Sequence, residues 1–140
     1  MTKEELKSIL YLDQLINSKL RQLDQLKAYR ARLPAGSSDT GPVQSGLSDP
    51  TASAAIKIAV LDQSIVKDID TLVDLKMAAR ELFQGLDREL HLKVVMEMRY
   101  LEGMPWSRIA EFLHYGSRHV FAMHSRALNI LFGGGQSGHC

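Results

Sequence analysis

At 140 residues the chain is long enough for one modest domain, or for a small domain with an extension. An apolar fraction of 45% excludes disorder throughout. A net charge of +1 leaves no global electrostatic case for nucleic acid or membrane, so any such case is local. The single cysteine, Cys140, excludes an internal disulfide framework and a cysteine-based zinc site. The opening MTKEELKS has no apolar core of signal-peptide kind, and no run approaches the ~18 apolar residues of a membrane span. A cytoplasmic protein without membrane contact is expected.

Residues 3–33 are rich in Leu, Lys, Gln and Glu and free of Gly and Pro, which predicts a long helix. Ile9, Leu12, Ile16, Leu23 and Leu26 alternate by four and three, a coiled-coil seam that Lys19 interrupts. Leu6, Leu10, Leu15 and Leu20 widen the stripe. Residues 34–50, PAGSSDTGPVQSGLSDP, read as a flexible connection. A second helix is expected from Thr51 or Ser53 to about Gln84, ended by Gly85. Its seam is Ile58, Leu61, Ile65, Leu72, Leu75, Ala79 and Leu82, with Asp68 in one apolar position. Both helices are about 45 Å long at 1.5 Å per residue, which points to an antiparallel coiled-coil hairpin over residues 1–85. Ile56, Val66, Ile69 and Val73 lie off the seam. Stripes this wide exceed what one partner helix covers, so a homo-oligomer is expected, a dimer foremost; cover by the C-terminal segment is the alternative.

Residues 86–132 change character. Leu90, Val94, Met98 and Leu101 mark a third helix, and EGMP breaks it. WSRIAEFLHYGSRHVFAMHSRAL then holds two short amphipathic segments around a turn. Trp106, Ile109, Ala110 and Leu113 form the apolar face of the first. Val120, Met123, Ala127, Leu128 and Leu131 form that of the second. The second segment's outer face carries Ser117, Arg118, Phe121, Ala122 and Ser125, with Arg126 to one side; Arg108 joins them from the first. In a helix-turn-helix such a face lies in the major groove of double-stranded DNA. Residues 86–132 hold six Lys/Arg and five Asp/Glu, but no acid follows Glu111, so the acids sit away from the phosphate-facing surface. Residues 133–140 read as a flexible tail.

The stretch EMRYLEGMPWSRIAEFLHYGSRHVFAMHSRALNIL resembles region four of sigma-70-type transcription factors. The chain is similar also to small sigma-like regulators of phages and prophages of Gram-positive bacteria, which share YLDQL (Tyr11–Leu15) and LVDLK (Leu72–Lys76). The resemblance covers most of the chain outside residues 34–50 and the glycine tail. It implies an all-α fold, a long helical hairpin followed by a three-helix sigma-like helix-turn-helix domain. It also implies a DNA-binding transcription regulator in a bacterial host, with RNA polymerase as a further partner. The chain departs from the family in its turn, His114-Tyr115-Gly116-Ser117 for Gly-Tyr-Ser. It departs again at Phe121 and Ala122, where the family presents Arg, Gln or Lys to bases. Bidentate base readout is lost there, while contact with a thymine methyl is kept.

No catalytic, cofactor or metal site is expected. His119 and His124 are five apart and fall on different helix faces, and no acid completes a ligand set around them. The histidines are expected at the surface or on phosphates, and the tail pair His139 and Cys140 makes no zinc site. GGGQSG follows a helix without a lysine and is no phosphate loop. Two rival binding classes remain: a small terminase-like DNA-packaging subunit, and a module that binds RNA polymerase without reading DNA.

Overall fold

The protein is all-α, and the computed structural model describes residues 1–34 and 49–133. Most of the 34–50 connection and nearly all of the glycine tail, including His139 and Cys140, lie outside the described residues. The elements are α1 (Lys3–Arg32), α2 (Pro50–Leu82), a 3₁₀ turn (Phe83–Leu86), α3 (Leu90–Met96), a π-helical turn (Glu97–Leu101), α4 (Trp106–Leu113) and α5 (Ser117–Phe132). Two compact units share them: Gln14–Asp70 is one, and Met1–Asp13 with the chain from Thr71 onward is the other. Among the described residues no helix is long and apolar enough to cross a membrane.

The first unit is built on two helices that run in opposite directions. Leu26 and Tyr29 of α1 line a shallow groove with Asp49, Pro50, Ser53, Ala54 and Lys57. One and a half turns earlier in α1, Lys19 reaches Ser64 and Asp68. Pro50 at the first position of α2 lacks only an N–H that would have no helical partner. Asp49 caps the same end, its Oδ1 accepting from the amides of Thr51 (3.0 Å) and Ala52 (3.3 Å). Helix α2 therefore begins a residue or more earlier than its apolar pattern implies. Ile16 and Leu23 on α1, and Ala54, Ile58 and Ile65 on α2, are buried. The two charges that break the seams meet: Lys19 Nζ lies 2.6 Å from Ser64 Oγ and is ion-paired with Asp68, each side chain about 20% exposed. Outside the seams, Leu15, Leu20, Ile56, Val60, Val66 and Ile69 are exposed.

The second unit begins with a capping box. Thr2 and Glu5 exchange backbone-to-side-chain hydrogen bonds of 2.8 and 3.0 Å, closing the start of α1. Leu6, Ile9, Leu72, Ala79, Phe83, Leu86, Leu92, Val95, Met96, Ile109, Val120 and Ala127 are its buried apolar side chains, with Met98, Tyr100, Ala110 and Met123 nearly so. Gly85 does not stop α2, which ends at Leu82; it lies inside the 3₁₀ turn. A Cβ at Gly85 would stand 3.1 Å from Leu131, so the glycine permits α5 to approach.

The inward face of the third helix is not the expected one. Leu90 and Val94 are exposed, and Leu92, Val95 and Met96 face the core with Met98 and Tyr100. The chain offers two apolar rows here. The core takes the i, i+3, i+4 row, which presents more contiguous surface than residues four apart. The π-helical turn then widens the backbone ring, with Glu102 N bonded to Glu97 O and Met104 N to Met98 O, both at 3.0 Å. That change of phase brings Tyr100 inward after Met98.

Candidate nucleic-acid interface

Helix α4 begins at Pro105, whose carbonyl accepts from Arg108 and Ile109. It ends at His114, which adopts the left-handed conformation (φ 62°) and leaves Tyr115 N to bond Ala110 O at 2.9 Å. Gly116, in extended conformation, opens α5 without a side-chain cap. The departure in the turn is therefore real in backbone terms. His114 carries the strained φ that suits glycine, and Gly116 stands where a capping side chain would fit.

The arrangement of α4 and α5 follows from their apolar residues. Ile109 and Ala110 of α4, and Val120, Met123 and Ala127 of α5, are buried. The opposite side of α5 is left to solvent. All seven candidate residues are exposed: Arg108 on α4, and Ser117, Arg118, Phe121, Ala122, Ser125 and Arg126 on α5. Arg118, Ala122 and Ser125 fall on one row of the helix, and Asn129, which sequence reasoning passed over, continues it four residues on. Arg126 stands apart from the others. Its guanidinium lies 3.4 Å from Glu89 Oε2, so part of its charge is already answered within the chain.

Trp106 does not sit inside the pair of helices as its apolar spacing implies; it is half-buried at the rim. Its ring meets the edge of Phe121 at 5.5 Å and of His124 at 4.7 Å, and the Arg99 guanidinium lies 4.5 Å above it. Arg99 is fixed in turn by a 3.0 Å bond from Nη1 to Met104 O. The core does not need Trp106 because the small Ala110 lets the helices close over Ile109 and Val120.

His124 is likewise not a surface or phosphate-contacting histidine. Its Nε2 lies 2.8 Å from the Tyr100 hydroxyl, and the two rings stack at 5.8 Å. Burial lowers its pKa to about 4, helped by the positive charges of Arg99, Lys3 and Lys7, so it is neutral at pH 7. Burial also raises the Tyr100 pKa and lowers that of Arg99. By contrast His119 is exposed and stacks edge-on against Tyr115 at 4.6 Å.

The site thus combines an outward α5 face without a carboxylate, two arginines, and an exposed phenyl ring braced by an indole. Among the described residues no group of three His, Cys, Asp or Glu side chains could hold a metal ion. No family model, curated protein or solved structure matches the chain.

Proposed function

We propose that the protein is a DNA-binding transcription regulator of phage or prophage type, reading DNA with α5 and assembling through α1 and α2. One observation carries this reading. The residues that a recognition helix would present are the exposed ones, on a helix that carries no acidic side chain. Helix α5 would lie in the major groove, with Arg118 at its N-terminal turn and Arg108 at the flanking phosphates. The exposed Leu15, Leu20, Val66 and Ile69 support self-association, since continuous apolar surface on long helices is unusual in a monomer. A pair of chains would set two α5 helices at a fixed spacing, as half-site recognition requires.

The test is fluorescence anisotropy with duplex DNA across a salt series. Binding should weaken steeply with salt, and Arg118→Ala should lose about 1–3 kcal/mol if the side chain contacts a base. Unchanged affinity removes Arg118 from the interface. Solution mass addresses assembly: a dimer fits a regulator, whereas a ring of many subunits fits a DNA-packaging component.

A further inference from the structure

We infer that this face discriminates bases through the C5 methyl of thymine, with Phe121 as the contacting side chain and Trp106 as its positioning residue. The inference rests on the DNA-binding reading above. Phe121 is 48% exposed on a helix whose other large apolar residues, Val120 and Met123, are 0% and 5% exposed. An exposed phenyl ordinarily folds back onto a neighbouring apolar surface. Here the edge of Trp106, 5.5 Å away at 76°, meets only one side of the ring. Trp106 is itself held between the Arg99 guanidinium and the His124 ring, and His124 is tied to Tyr100. Phe121 is therefore a braced apolar projection on an otherwise polar surface.

Its surroundings name the occupant. Ala122 is the next residue of α5 and is also exposed, so two adjacent outward positions offer carbon and no hydrogen-bonding group. Arg118 and Arg108 supply the positive charge that a phosphate backbone answers, and α5 has no carboxylate to repel one. In the major groove thymine alone presents a methyl group, whereas cytosine presents an amino donor that a phenyl ring would leave unpaired. A carbon surface between cationic side chains is thus complementary to thymine-containing duplex DNA.

The experiment selects duplexes from a random-sequence library on the full-length chain and resynthesises a retained one with deoxyuridine at every thymine. This removes methyl groups and nothing else. Affinity should fall about fourfold for each methyl that was in contact. Phe121→Ala should bind the thymine duplex more weakly and erase the thymine–uracil difference, while Phe121→Leu retains it. Trp106→Leu should shrink the difference without changing the salt slope, and Trp106→Phe should restore it. Equal wild-type affinity for the two duplexes overturns the inference and leaves the DNA-binding reading standing. A difference that persists in Phe121→Ala overturns the assignment to Phe121. A selection that retains no duplex, with the apolar face then left to a protein partner, overturns both readings.

Discussion

The ion pair between α1 and α2 can be taken apart one charge at a time. Lys19 donates to Asp68 and to Ser64, and each charged side chain keeps only about a fifth of its surface in water. At an effective dielectric of ~20, charges ~3 Å apart attract by about 5 kcal/mol, and desolvating two ions costs about as much. The net worth of the pair is therefore small, yet the cost of breaking it is not. Asp68→Leu leaves a half-hidden ammonium with one hydroxyl partner, and Lys19→Met leaves a carboxylate with none on α1. Each should cost about 2–3 kcal/mol, below the 3–5 kcal/mol of a fully buried pair because residual water contact remains. The double variant should recover to within about 1 kcal/mol of wild type or exceed it, since two apolar side chains then fill a seam that is apolar elsewhere. Urea titrations of the full chain followed by far-UV circular dichroism supply the four corners of the cycle. Single losses under ~0.5 kcal/mol would show that the pair behaves as exposed surface charge. Losses that simply add in the double variant would show that packing, not pairing, is what was removed.

The turn between α4 and α5 makes a prediction of opposite sign. His114→Gly removes a left-handed strain, and Gly116→Ser adds a cap where a new Cβ meets nothing within 4 Å; each should stabilise by about 0.5–1 kcal/mol, and a lowered melting temperature for either would contradict the turn geometry. Trp106→Ala should cost about 2–3 kcal/mol, less than for a fully buried tryptophan, because it loses the contacts with Phe121, His124 and Arg99 but opens no enclosed cavity; unfolding of the α4–α5 pair at room temperature would place it back in the core. The lowered pKa of His124 means that the unfolded chain takes up a proton more readily, so its contribution is intact above about pH 7 and is lost as pH falls from about 6.5 towards 4. With the ring only half-buried, that loss should be about 1–2 kcal/mol; His124→Gln should flatten this part of the stability curve, and an unchanged slope would assign the acid sensitivity to other groups.

Much of this architecture is legible in residue spacing, and the exceptions have local causes. Ile9, Ile16, Leu23, Ile58, Ile65, Leu72 and Ala79 are buried where the alternation of four and three puts them. The period is long and uninterrupted there, and the two charges that break it answer each other. The exposed face of α5 is legible for the same reason: its inward residues Val120, Met123 and Ala127 leave the candidates nowhere else to go. Spacing fails where contacts are between distant parts of the chain. Nothing near Arg126 announces Glu89, 37 residues away. The bond between Tyr100 and His124 depends on a widened turn that periodicity takes for ordinary helix. Trp106 is drawn to the rim by Arg99 and Phe121, neither of which belongs to its own amphipathic pattern.

The π-helical turn also sets how this part of the chain tolerates a change in length. Residues before it, Leu92, Val95 and Met96, are committed to the core; residues within it deliver Arg99 to Trp106 and Tyr100 to His124. One residue on an α-helix turns the chain by about 100°. Deleting a single residue from Glu97–Leu101 would leave a plain helix with every amide satisfied, yet would swing the two deliveries about a quarter-turn away from their targets. The segment is thus frame-locked: substitutions in it are open to repacking, while insertions and deletions are not, and the braced phenyl ring on α5 inherits that constraint from five residues it never touches in sequence.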